Sequence, residues 1–90
     1  MKKHVKVIYS GRVQGVGFRY NIDNIAKVMN VYGWIKNLED GRVILVAEDK
    51  KAVLEKFLDQ INNFFSDYIK KTNVEWSDAI EDFNIFEVKF

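Results

Sequence analysis

Ninety residues suffice for one domain and are too few for two, so residues 1–90 are expected to form a single unit. Apolar residues make up 48% of the chain, with seven Phe, four Tyr and two Trp, which excludes the aromatic-poor composition of a disordered segment. A net charge of +1 lacks the basic excess of a nucleic-acid binder, and the absence of cysteine excludes disulfides, thiolate zinc sites and a cysteine nucleophile. A cysteine-free chain suits a reducing cytoplasm. The basic start Met1-Lys2-Lys3-His4 runs into the alternation Val5-Lys6-Val7 rather than the apolar core of a signal peptide. No apolar run approaches the length of a membrane span, so no membrane association is expected.

Residues 4–10 alternate Val5, Val7 and Tyr9 with His4, Lys6 and Ser10, the period-two pattern of a strand. A segment with glycines at 11, 15 and 17 interrupts it. Over 18–29 the period changes: Phe18, Ile22, Ile25, Ala26 and Met29 form one stripe of a helix. Asn30 is placed to end that helix in the left-handed conformation. Residues 32–38 and 42–48 read as two strands joined across Glu39-Asp40-Gly41, where Asp-Gly signals a hairpin. The run Val43-Ile44-Leu45-Val46-Ala47 suits a central strand. Residues 50–65 are helical, with Val53, Phe57, Leu58, Ile61, Phe64 and Phe65 as the apolar stripe and Asp49 as N-cap. Strands are expected at 73–77 and 84–89. The order β-α-β-β-α-β with an additional C-terminal strand implies an α+β, ferredoxin-like α/β sandwich: an antiparallel sheet with two helices on one face.

The first strand-to-helix loop carries the main functional signal. Glycines permit positive φ and close backbone approach, and successive N–H groups in such a turn form an anion nest. The helix N-terminus adds unpaired N–H groups and positive partial charge. Arg19 lies in the first helical turn, where a cation opposes the helix dipole and is better explained by an anion it holds. The segment is neither a P-loop, which needs Gly-Lys-Ser/Thr, nor a dinucleotide fingerprint, since Tyr20 stands where the third glycine belongs. From spacing alone a tight connection with solvated arginines remains open. Asn37, near a strand end before the hairpin, has an amide able to orient a water, although turn asparagines are common there.

The two segments together change that balance. Gly11-Arg12-Val13-Gln14-Gly15-Val16-Gly17-Phe18-Arg19 resembles the first signature of the acylphosphatase family. Gly33-Trp34-Ile35-Lys36-Asn37-x-x-x-Gly41-x-Val43 resembles the second, and the likeness is clear over residues 4–60. The resemblance implies metal-independent hydrolysis of a small-molecule acyl phosphate to a carboxylate and inorganic phosphate, with no cofactor. It implies that the backbone N–H groups of Gln14, Gly15, Val16, Gly17 and Phe18 bind phosphate with Arg19, and that Asn37 orients the attacking water. A monomer is the default expectation. The alternative is a non-catalytic phosphate or carbamoyl-phosphate binding module; an RNA-recognition sheet is disfavoured because Arg42 to Ala47 lacks its aromatic motif. The chain departs from the family at Asp49, where Gly is usual, at Asn30, and over 62–72, which lacks a common Gly-Pro segment. These positions bear on the pocket rim rather than on Arg19 or Asn37.

Other polar residues are expected to be ordinary. His4 should point outward from the first strand, Glu39 and Asp40 should be solvated, and Trp34 and Trp76 should pack in the core or at an edge. No metal site is expected, because the acids are scattered and His4 stands alone.

Overall fold

The computed structural model describes all 90 residues. The elements are β1 (Lys2–Gly11), α1 (Phe18–Met29), β2 (Tyr32–Asn37), β3 (Val43–Lys50), α2 (Lys51–Phe64), β4 (Ile69–Asp78) and β5 (Phe86–Lys89). The strands form one sheet in the order β4-β1-β3-β2-β5. β1 and β2 are parallel to each other with β3 inserted between them, the split β-α-β arrangement expected from the element order.

Alternation along β1 sends Val5, Val7 and Tyr9 to the helix-covered face, where each is buried. Ile35, Val43, Leu45, Ala47 and Phe86 join them from the other strands. α1 contributes Phe18, Ile22 and Ala26, and α2 contributes Leu54, Phe57, Leu58 and Ile61. Phe18 sits edge-on to Tyr9 (centroids 5.1 Å apart) and to Phe65 (4.6 Å), which locks the start of α1 onto the sheet. Burying a side chain such as Phe18 contributes about 1.5–3 kcal/mol. α1 ends at Asn30 in the left-handed conformation (φ 56°, ψ 39°), as its sequence predicts, and the Val31 N–H reaches back to the Ala26 carbonyl at 2.9 Å.

Several expectations need correction. The sheet is mixed: β5 pairs parallel with β2, while the other pairings are antiparallel. β4 and β5 occupy opposite edges, so residues 79–85 must cross beneath β1 and β3 and enter β5 running alongside β2. β4 begins at Ile69, four residues before the expected strand, because its polar first half pairs by backbone with Tyr9, Ser10 and Gly11 at an exposed edge. Asp49 does not cap α2; Lys50 is the N-cap, and Asp49 instead accepts the Lys50 N–H at 2.6 Å. On α2, Leu54 takes the buried place expected of Val53, and Phe64 is exposed. Neither Trp is in the core: Trp34 is half-buried on β2 under the Lys89 ammonium (4.8 Å), and Trp76 takes the edge place, on β4 under the Lys51 ammonium (5.3 Å).

His4 does not point freely outward. It lies opposite Glu48 in the β1–β3 register, and its Nδ1 is 2.7 Å from Glu48 Oε2. Glu48 is the one buried charged residue. Its carboxylate also accepts the backbone N–H groups of Ile80 (2.8 Å), Glu81 (3.0 Å) and Asp82 (2.9 Å) as the crossing segment passes. Burial alone would raise the Glu48 pKa, but the His4 contact and the three N–H groups outweigh it and hold the carboxyl at about 2.

Candidate active site

At the opposite end of the sheet, the β1–α1 loop, the end of β2 and the end of β5 enclose a cavity of about 330 Å³. Local sequence shapes the loop. Val13 is buried and Val16 packs against the core, so the backbone between and after them is turned outward. Gly15 (φ 75°) and Gly17 (φ 75°, the α1 N-cap) adopt left-handed conformations that a side chain would strain. Asn21 ties the turn, its side-chain and backbone N–H groups both donating to the Gly17 carbonyl, at 2.8 and 3.0 Å. None of the backbone N–H groups from Gln14 to Arg19 donates to another backbone carbonyl. They are a set of unspent donors at a helix N-terminus, the arrangement that suits an anion.

Gln14, Gly15, Gly17, Phe18, Arg19 and Asn37 all line the cavity. The Val16 side chain is not on the wall and packs, half-buried, against the core; what is expected of Val16 is its backbone N–H, which donates to no backbone carbonyl. Gln14 has a further part that its sequence position did not disclose. Its Nε2 donates to the carbonyls of Leu38 (2.9 Å) and Arg42 (3.0 Å), strapping the β1–α1 loop to the β2–β3 turn. That turn is closed by the Leu38 N–H to the Arg42 carbonyl at 2.7 Å. Asp40 is not merely solvated, since it accepts the Arg42 N–H (3.1 Å) and Nε (2.8 Å). The Arg42 backbone bond is the leading cause that holds the Asp40 pKa below its ordinary value. Asn37 ends β2 beside this strap, and its Oδ1 is buried with no hydrogen-bond partner.

Arg19 reaches across to the last residues of the chain. Its Nη1 donates to the Lys89 carbonyl at 3.0 Å, and its guanidinium lies 4.8 Å from the Phe90 ring centroid. Val88 and Phe90 complete the wall on this side. Their part had no sequence signal, because only the parallel crossing of β5 brings them there. Asp23, also on the wall, escaped notice although helical spacing places it one turn from Arg19. No three His, Cys, Asp or Glu side chains cluster as a candidate metal site.

A family model described as Acylphosphatase matches residues 5–88. The chain belongs to the acylphosphatase family. An acylphosphatase of Methanospirillum hungatei is 49% identical over 72 residues, which span 80% of this chain and 79% of that protein. One from Oceanobacillus iheyensis is 32% identical over 90 residues, 98% of this chain and 99% of the relative. The crystal structure of acylphosphatase from Bacillus subtilis superposes with a TM-score of 0.89 over all of both chains, at 35% identity. The fold is therefore the ferredoxin-like α+β architecture of the family, and the chain is an enzyme of acyl phosphate hydrolysis.

Proposed function

We propose that this acylphosphatase-family enzyme works by positioning and charge stabilisation, with Arg19 and the N–H groups of Gln14 to Phe18 holding the phosphoryl group and Asn37 aiming water at it. The observation that carries this reading is the meeting of three features on one cavity: a run of free backbone donors, a guanidinium with one of its five N–H groups engaged, and an amide oxygen without a partner. An acyl phosphate is already activated by its carboxylate leaving group, so no strong nucleophile is required.

The step balances without a further reactant. The water oxygen attacks phosphorus as the bond from phosphorus to the acyl oxygen breaks. The electron pair leaves with the carboxylate, and a water proton passes to a phosphate oxygen, giving carboxylate and dihydrogen phosphate. Negative charge on the equatorial phosphate oxygens is met by Arg19 and the loop N–H groups. The Asn37 oxygen accepts a water hydrogen and so directs the lone pair toward phosphorus. The cavity volume lies at the lower end of the range for small-ligand sites, which favours a compact acyl group. The reading takes the enzyme as a cytoplasmic monomer acting without metal.

The test is hydrolysis of benzoyl phosphate with and without a chelator, alongside Arg19→Ala and Asn37→Ala. Rapid phosphate release that survives chelation and collapses in Arg19→Ala is the expected result. A native protein that binds inorganic phosphate but releases none from benzoyl phosphate would make the chain a binding module.

A further inference from the structure

Arg19, Asp23 and Lys27 follow one another at i, i+4 and i+8 along α1, a row of alternating charge on one helix face. Half of that row is closed. Lys27 Nζ donates to Asp23 Oδ2 at 3.0 Å. The other half is open, because the Arg19 guanidinium is turned away to the Lys89 carbonyl and the Phe90 ring. Asp23 Oδ1 is left shielded from solvent with no hydrogen-bond partner, on the wall of the same cavity. An unpaired, buried carboxylate oxygen is costly, so its presence points to a donor that arrives in another state of the enzyme.

We propose that Asp23 is a positioning residue that takes hold of Arg19 when phosphate binds, with Lys27 bracing Asp23 from below. This rests on the phosphate-binding role proposed above for Arg19. Arg19 is the only cation lining the cavity. It has five N–H donors and spends one on Lys89. Phosphate in the loop draws the guanidinium off the Lys89 carbonyl and occupies two donors on one edge of the fork. Another edge then faces the helix turn that carries Asp23, four residues on. A carboxylate repels the phosphate itself, so the anion does not fill this place. Holding the fork from behind fixes its plane against the phosphoryl oxygens once it has left the Lys89 carbonyl and the Phe90 ring. The Lys27 contact keeps Asp23 from swinging into solvent and limits the negative charge that the phosphate meets.

The probe is inorganic phosphate, titrated into the wild type, Asp23→Asn, Arg19→Ala and the double variant, with chemical shifts of the loop amides as readout. Asp23→Asn keeps the shape and removes the charge. It is expected to weaken phosphate binding about tenfold beside Arg19, the size of one hydrogen bond to a charged group. In the Arg19→Ala background the same change should do nothing further. Asp23→Glu should recover most of the affinity, and Lys27→Ala should lose about threefold. Thermal melts of each variant show that it is folded. An equal loss from Asp23→Asn in both backgrounds, or no loss in either, overturns the proposal and leaves the role of Arg19 intact. Normal phosphate binding by Arg19→Ala sinks that role and this inference with it.

Discussion

The two ends of the sheet treat polar groups in opposite ways. At the end where β1 begins, the Glu48 carboxylate is buried and saturated by His4 and three backbone N–H groups. At the end where β1 finishes, the loop N–H groups, Asn37 Oδ1 and Asp23 Oδ1 lie in or beside a cavity with nothing bonded to them. Both ends contain backbone donors arrayed for an anion. In one the anion is the protein's own carboxylate, and the result is a latch. In the other the donors remain free, and the result is a receptor. A nest of N–H groups is thus not by itself a site; what separates the two is whether the chain fills it.

Emptying each end in turn separates the latch from the receptor. The largest expected effect is Arg19→Ala, which should lower kcat/KM by about a thousandfold, as loss of a major charge-stabilising donor does. Its melting temperature should hardly change, because Arg19 opposes the α1 dipole and its bonds are solvent-exposed. Glu48→Ala should do the reverse. It orphans three backbone N–H groups and His4, costing about 3 kcal/mol in urea unfolding, while kcat/KM below the transition stays near wild type.

Asn37→Ala should reduce kcat about a hundredfold with phosphate affinity largely kept, checked by steady-state kinetics beside a phosphate titration. Retention of full turnover would show that the water is aimed by something else. Acid titration sharpens the difference at the latch. The Glu48 pKa is depressed from 4.5 to about 2 in the folded chain. Its stabilising contribution is therefore complete above pH 4.5 and is lost as pH falls toward 2. Urea midpoints measured down that range should fall in wild type and fall less in Glu48→Gln. The smallest effect is at Gln14→Ala, which cuts two bonds of the strap between loop and turn and should cost about 1 kcal/mol. A larger drop in activity than in stability there would show that the strap sets the spacing between loop and Asn37.

What could be read in the sequence follows from how each part is encoded. Buried strands and helices write themselves as periods, so β1, β3 and α1 were evident from Val5-Val7-Tyr9, Val43-Leu45-Ala47 and Phe18-Ile22-Ala26. The first half of β4 was not, because Lys70, Lys71 and Thr72 are exposed and pair only through backbone. The direction of β5 leaves no trace in its four residues; it depends on which edge the preceding segment reaches. The same holds at the site. Arg19 and Asn37 sit in compact motifs around glycine, whereas the Gln14 strap, the Lys89 carbonyl and Phe90 act across long separations. Glu48, at the end of the strand expected over 42–48, carries no signal of its own. Its partners at 80–82 are backbone groups, which every sequence has.

The position of β1 has a consequence for how the chain comes together in time. It precedes the other six elements along the chain, yet its two neighbours in the sheet are residues 43–50 and 69–78. Lys3 pairs with Asp78, so one edge of β1 waits for a strand 75 residues further along. Contacts of such long sequence separation make folding slow relative to a helical bundle of this length. Until β4 arrives, that edge of β1, with its alternating valines, stays open to pairing with other nascent copies. The lysines at 2, 3 and 6 interspersed along it are the residues that discourage such pairing.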